Sequence, residues 1–335
     1  MCPLVYLSTC VRCLPLHGMD IDTARSLIAA ANRILVFTHV APDGDAIGSL
    51  LGLTWALKAA GKTAVPISED GCPETFRFLP GVEEIQKKVA ELGDLLIVLD
   101  CADQHRAGKY IDNLDRPPDI NIDHHATNPD FGRLNFVDVN ATATAEVLTD
   151  LLPGLGLPLT LPAAECLLCG LVSDTLGFRT ANTGTKALAT AQTLMAAGAD
   201  LPRIYDHALN RRSFVSVQLW GQALARARIE NGIVWTTIPL AVKQSVGYNG
   251  KGDADVINIL GTVNEADIFI AVIETGEDEV KISWRARPGL DVSQIAKSFG
   301  GGGHVSAAGA NVKGTLAEVE TKVLEATQKL MANGK

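Results

Sequence analysis

Three things are missing from this sequence, and each absence removes a class of function. There is no surplus of positive charge: 29 Lys and Arg against 38 Asp and Glu leave a formal net charge of −9. Gripping a long duplex or a long single strand calls for a basic face, so that class is disfavoured. A short anionic substrate stays open, because bound metal ions can supply the local positive charge. There is also no apolar run of the ~20 residues that a spanning helix needs. Met1–Leu16 is mildly apolar, but it lacks a charged leading region and Arg12 interrupts it. It does not read as a secretory signal, and no membrane association is expected. Finally, the seven cysteines form no framework. C-x-x-C spacing occurs at Cys10/Cys13 and Cys166/Cys169, yet no second pair follows at zinc-ribbon spacing. These residues read as a loose terminus and small core side chains, and the cytoplasm is the expected compartment.

What is present is a chain able to build a large core. It has 335 residues, 47% hydrophobic and 20% charged, enough for about two globular domains. Asp20-Ile-Asp22-Thr23 caps a helix over Ala24–Asn32. Strands are expected at Arg33–Thr38, Lys62–Ser68, Leu95–Leu99 and Ile120–Ile122, and helices at Ala46–Ala60, Gly81–Glu91, Thr142–Leu152, Pro162–Val172 and Thr185–Ala197. This alternation predicts an α/β fold with a parallel sheet and helices on both faces. Leu201–Asn210 and Arg212–Ala227 read as helices leading to a second, smaller α/β domain. In that domain, strands are expected at Ile229–Ile238, Ile268–Glu274 and Glu279–Arg285, and helices at Asp255–Leu260, Val292–Ser298 and Thr315–Met331. The domain boundaries expected are a disordered extension over 1–19, a catalytic domain over 20–197, a helical linker over 198–227 and a substrate-binding domain over 228–335.

Acidic residues recur where apolar runs end. In open parallel sheets, ligands bind beyond the carboxyl ends of the strands, which makes these residues one constellation. His39-x-x-x-Asp43-x-Asp45 offers an imidazole and two carboxylates, a mixed N/O set suited to Mn, Mg or Zn. The same Pro42-Asp43-Gly44-Asp45 stretch also reads as an ordinary turn and helix cap. Asp100 ends a strand, where an acid is often only a cap; Asp103 and His105 read as loop residues. Adjacent residues at a strand end diverge in direction. Asp123-His124-His125 can therefore place one imidazole on a metal and the other toward a substrate, with the acid supporting an imidazole. Asp174 follows a buried run, where a carboxylate needs a partner or a metal. Further on, Gly300-Gly301-Gly302-Gly303-His304 can present successive amides to an anion. With Arg285 in Ser283-Trp284-Arg285-Ala286-Arg287 it makes a phosphate clamp.

Taken in order, these segments resemble the DHH phosphoesterase superfamily from about residue 20 onward. His39-Val-Ala-Pro-Asp43-Gly-Asp45-Ala-Ile-Gly48-Ser49 is similar to its first motif, Asp100 to the second, Asp123-His124-His125 to the third and Ser173-Asp174-Thr175 to the fourth. Ser283-Trp284-Arg285, the glycine run with His304, and Ala308-Gly309 resemble its associated C-terminal domain. Within the superfamily the chain looks most like the bifunctional oligoribonuclease and pAp phosphatase group, which Phe178-Arg179-Thr180-x-Asn182-Thr183 also suits.

The resemblance implies two Mn2+ ions, with Mg2+ or Co2+ as alternatives. His39 and Asp43 would hold one ion, Asp45, His124 and Asp174 the other, and Asp100 would bridge them. His125 would face the scissile phosphate, supported by Asp123. Arg285 and His304, with Gly301, Gly302 and Gly303, would hold the substrate's terminal phosphate across an interdomain cleft. The activity implied is hydrolysis of short oligoribonucleotides to mononucleotides and removal of the 3′-phosphate of pAp by a monomer or homodimer. Linear or cyclic dinucleotides (pApA, c-di-AMP) are the alternative substrates. A catalytically silent nucleotide-binding protein is disfavoured, since no metal position departs from the pattern.

Overall fold

The computed structural model describes residues 18–333. Contacts divide the chain into two units, which meet between Arg211 and Arg212. The extension expected over 1–19 lies outside the described residues except for Gly18 and Met19, which begin the first helix.

The first unit contains α1 (Gly18–Ala30), β1 (Arg33–Phe37), α2 (Gly44–Ala59), β2 (Thr63–Ile67), β3 (Leu95–Leu99), α3 (Lys109–Asp112), β4 (Ile120–Asp123), β5 (Leu134–Val137), α4 (Thr144–Leu155), α5 (Leu161–Asp174), α6 (Thr185–Ala196) and α7 (Leu201–Tyr205). All five strands are parallel, in the order β2-β1-β3-β4-β5. Strand side chains alternate between faces. Ile34, Val36, Leu95, Ile97, Leu99, Ile120 and Ile122 point into the larger core, which α1, α2, α4 and α5 fill with leucine and alanine. Leu35, Phe37, Val65, Ile67, Leu96 and Val98 point to the other face. Among the described residues, only α3 and a short 3-10 turn at Gln104–Ala107 supply helix there, through Ile111 and Ala107. Helices thus cover both faces, but unequally. Cys166 and Cys169 are core residues, and burial pushes the Cys169 thiol up to about 12.

One expectation fails in this unit and one strand was not expected, both at sheet edges. Gly81–Glu91 is not a helix: after a 3-10 turn at Val82–Glu84 the chain extends, and Gln86 bridges to Ile67 beside the edge strand β2. The Gln86 amide donates to Pro66 O at 2.9 Å and Ser68 N donates to Gln86 O at 3.0 Å. An edge strand's unpaired backbone groups outbid local helix propensity here. The opposite edge, β5, was not foreseen; of its four residues only Phe136 is fully buried.

The second unit begins with α8 (Phe214–Leu224), followed by β6 (Arg228–Glu230), β7 (Ile233–Ile238), α9 (Leu240–Val246), α10 (Val256–Leu260), β8 (Ile268–Gly276), β9 (Glu279–Ala286), α11 (Val292–Ser298), β10 (Gly302–His304), β11 (Ala307–Lys313) and α12 (Leu316–Asn333). Its mixed sheet runs β10-β11-β9-β8-β7-β6, and only β7 and β8 pair in parallel. One face packs against α11 and α12, the other against α8, α9 and α10. The run Ile229–Ile238 is a hairpin, not one strand: Asn231 and Gly232 both take positive φ (50° and 78°) between β6 and β7. Asn-Gly favours that two-residue turn because both positions tolerate left-handed backbone.

Residues 198–227, expected to form a helical linker, contribute to two cores. Ile204 and Ala208 pack into the first unit's core, while Leu219 and Ala223 pack into the second's. Among the described residues no helix is long and apolar enough to cross a membrane.

Candidate metal centre

The carboxyl ends of the central strands converge as their order requires. β1 leads to His39, β3 to Asp100 and β4 to Asp123-His124-His125, and these strands are neighbours in the sheet. Asp43 and Asp45 come from the start of α2, and Asp174 ends α5.

Two close groups result. His39, Asp43 and Asp100 form one, and Asp45, His124 and Asp174 the other; within each, the potential ligand atoms lie within 4.8 Å of one another. Asp100 faces both: its Oδ2 is 3.6 Å from His39 Nε2, and its Oδ1 is 3.7 Å from His124 Nε2. His124 Nε2 is also 3.5 Å from Asp174 Oδ2 and 4.0 Å from Asp45 Oδ2. The imidazoles are oriented by their other nitrogens, since Nδ1 of His39 donates to Val40 O (2.9 Å) and Nδ1 of His124 to Ala141 O (3.3 Å). That leaves Nε2 of each ring facing carboxylates, the arrangement of a histidine metal ligand.

Asp43 is a helix cap that also faces His39. Its Oδ1 caps α2 through the amides of Asp45 (3.1 Å) and Ala46 (3.0 Å), and it also lies 3.8 Å from His39 Nε2. Asp103 caps the 3-10 turn through Arg106 N, and the exposed His105 pairs with Asp112. Neither joins the centre.

Packing between α2 and α5 brings Asp45 close to Asp174. Gly44, Gly48 and Gly52 recur every fourth residue on one side of α2. A Cβ on Gly48 would lie 2.5 Å from Cys166 O, and one on Gly52 2.7 Å from Leu167. The facing Gly170 of α5 leaves only 2.7 Å between an added Cβ and Asp45 Oδ1. Sequence reading missed this stripe, although the four-residue glycine spacing was there to find.

It also missed the start of α4. The amides of Thr144 (2.6 Å) and Ala145 (3.0 Å) donate to the two oxygens of Asp45, and Thr144 Oγ1 donates to Asp100 Oδ1 at 3.0 Å. A helix N-terminus favours nearby anions.

The charge of the cluster fits a cation. Asp43, Asp45, Asp100 and Asp174 all pair with histidines. Burial, then the charges of Asp100 and Asp174, push the Asp45 carboxyl well up. Burial, then Asp43 and Asp100, do the same to Asp174. His39 shows the converse: burial disfavours its charged form, but hydrogen bonding to Asp100 and Asp43 prevails and raises it to about 10. Carboxylates held this close together in a buried site call for a balancing cation.

Asp123 stands behind the triads. It is fully buried; its Oδ1 accepts from His124 N (2.8 Å) and His125 Nδ1 (2.7 Å). The His125 ring is 17% exposed, with Nδ1 3.7 Å from Asp100 Oδ1.

In the second unit, Trp284 is buried against α12, so the alternate residue Arg285 faces the opposite side of β9. His304, Ala307 and Arg285 are register partners across β10, β11 and β9. Cross-strand partners share a face. The glycine run is not the open loop expected. Gly300 and Gly301 donate their amides to Lys297 O and Ala296 O, and Gly302–His304 form a strand at the sheet edge. Gly303 has φ +141° and lies within 2.5 Å, at its would-be Cβ, of Ala307 O, so glycine serves close strand pairing there. Arg287 is structural, donating to Ala266 O and Val263 O over the Phe269 ring.

Residues 33–171 match the N-terminal domain of the DHH family, and residues 237–333 match the DHHA1 domain. The bifunctional oligoribonuclease and PAP phosphatase NrnA of Thermus thermophilus is 38% identical over 309 residues, covering 91% of this chain and 92% of that protein. The chain belongs to the DHH family. The cyclic-di-AMP phosphodiesterase GdpP of Geobacillus thermodenitrificans is 28% identical over 93% of this chain but 49% of its own length. Among solved structures, an exopolyphosphatase-related protein from Bacteroides fragilis is similar throughout, with TM-score 0.84, 25% identity and coverage of 94% and 96% of the two chains. The DHH match contains the strand ends that carry His39, Asp100 and the Asp123-His124-His125 triplet. Arg285, the glycine run and His304 fall within the DHHA1 match.

Proposed function

We propose that this protein is a Mn2+-dependent phosphoesterase that hydrolyses short oligoribonucleotides to mononucleotides and removes the 3′-phosphate of pAp. One observation carries the reading: Asp100 turns one carboxylate oxygen to the His39 group and the other to the His124 group, as a ligand shared by two cations would. His39 and Asp43 would hold one ion, Asp45, His124 and Asp174 the other. When bound, such ions supply Lewis-acid stabilisation of phosphoryl oxygens and lower the pKa of an attacking water.

The chain's own residues do the rest. Thr144 and the amides at the start of α4 hold Asp100 and Asp45 in place. Asp123 accepts the Nδ1–H of His125, which turns Nε2 outward; as the imidazolium, the ring can donate from Nε2 to a phosphoryl oxygen as charge develops on it. On the DHHA1 sheet, Arg285 and His304 share a face with the small Ala307 between them in register. There they would hold a terminal phosphate, the guanidinium by paired N–H donors. The substrate assignment rests on the NrnA relative, whose match spans nearly both whole chains. A cyclic dinucleotide is the second reading, favoured only by the GdpP match.

Specificity constants with Mn2+ for pAp, a short RNA, pApA and c-di-AMP test this directly. pAp and the short RNA are expected to lead; a clear preference for c-di-AMP would overturn the substrate assignment.

A further inference from the structure

Behind the Asp123-His124-His125 triplet lies a polar network that the metal chemistry does not account for. Its centre is Asn128, half-buried in the loop after β4. Asn128 Nδ2 donates to Asp123 Oδ2 at 2.6 Å and to Cys101 O at 3.0 Å. Its Oδ1 accepts from Asn121 Nδ2 at 3.2 Å and from Asp130 N at 2.9 Å. Two acceptors meet one end of the amide and two donors the other, so the network itself dictates which way it points. The Asn128 backbone amide closes the turn onto His125 O at 3.1 Å.

The consequences run in two directions. Asp123, fully buried, accepts from His124 N, His125 Nδ1 and Asn128 Nδ2. Without Asn128 one oxygen of a buried anion loses its partner, and the carboxylate can rotate away from His125. Cys101 follows Asp100, so the same amide also ties the end of β3 to the end of β4.

We propose that Asn128 is a positioning residue for His125, clamping Asp123 so that the imidazole is held by Nδ1 and aimed by Nε2. This rests on the role given to His125 under the proposed function. Asn128 acts through another side chain and touches no reacting atom. Loss of such outer partners typically costs about 10–100-fold in activity.

The test is a double-mutant cycle on the full chain with Mn2+ and pAp, using N128A, N128D, H125A and N128D/H125A. N128D keeps the acceptor for Asn121 and Asp130 but sets a carboxyl against Asp123 Oδ2 where the N–H donor was, so it breaks the clamp by repulsion where N128A breaks it by omission. The expected result is a fall in kcat of about 10-fold or more with KM and Mn2+ affinity unchanged, shrinking to within about 2-fold in the H125A background. A kcat within about 2-fold of wild type, an undiminished fall in the H125A background, or an equal loss of Mn2+ affinity would overturn the proposal.

The imidazole nitrogen resonances of the Mg2+-loaded full chain, assigned by comparison with H125A, give a readout independent of turnover. The His125 Nδ1–H signal should be present in wild type and lost or exchange-broadened in N128D. If it is unchanged, Asn128 does not position His125. Should wild type hydrolyse none of the phosphoesters, the functional reading falls, and this spectrum alone decides the positioning role.

Discussion

Gly170 of α5 lies against Asp45 of α2 with no room for a side chain: a Cβ added to it would sit 2.7 Å from Asp45 Oδ1 and 2.9 Å from the Ala145 methyl. Two helices thus approach closely at the point where their ends deliver Asp45 and Asp174. The packing of the core and the geometry of the candidate centre are therefore one problem.

Gly170→Ala should damage both. Overpacking of a tight site costs about 1–3 kcal/mol, read by urea denaturation of the metal-free protein. Mn2+ affinity, read by calorimetry, should fall with it because Asp45 must move. If stability falls and affinity does not, Asp45 is not tied to the centre in the way described.

The carboxyls of Asp45 and Asp174 are pushed up by burial and by neighbouring carboxylates, and His39 is raised to about 10. These upward shifts mean that protons compete with a cation for the same side chains, His39 above all. Metal affinity should therefore rise with pH from about 6 to about 8, with net proton release. Calorimetry in two buffers of different ionisation enthalpy counts those protons. A pH-independent affinity with no release would contradict the ligand set.

Arg285 and Arg287 lie two residues apart on or beside β9, yet their roles should separate. Arg287→Ala removes hydrogen bonds to Ala266 O and Val263 O and should lower stability by about 1–2 kcal/mol with kcat and KM little changed. Arg285→Ala should instead raise KM for pAp by about 10-fold or more, as loss of a charged phosphate contact does. Thermal melts and steady-state kinetics on both variants distinguish them. An unchanged KM in Arg285→Ala would remove its clamp role.

The sequence showed most of the centre because the physics there is local. An apolar β-branched run followed by an acid or histidine marks a strand end, and parallel strand ends must share one side of the sheet. His39, Asp100, Asp123 and His124 were legible for that reason. Asp174 was legible because a carboxylate after the buried run Leu167–Val172 needs a partner. The amides of Thr144 and Ala145 were not, since Asp45 lies 99 and 100 positions before them; Asn128 was not either, although Asp123 is only 5 positions before it, because its other acceptor, Cys101 O, is a backbone atom 27 positions away. Gly81–Glu91 failed for a related reason: its backbone is claimed by β2, from a different part of the chain. The glycine run before His304 looked like a ligand loop because sequence cannot tell a glycine that frees an amide from one that admits a neighbouring strand. The hairpin at Asn231-Gly232, by contrast, was expected as one strand although its turn signal is local.

The central claim is that Asp100 is shared between two metal-holding groups of a phosphoesterase. Its most direct test is Mn2+-dependent hydrolysis of pAp and of a short RNA by wild type and Asp100→Asn, at matched metal and folded-protein concentrations. Wild type should cleave both substrates, and the variant should lose more than about 100-fold in kcat, beyond the range seen for outer partners of a metal ligand. Near-wild-type turnover by a folded Asp100→Asn protein would contradict the account.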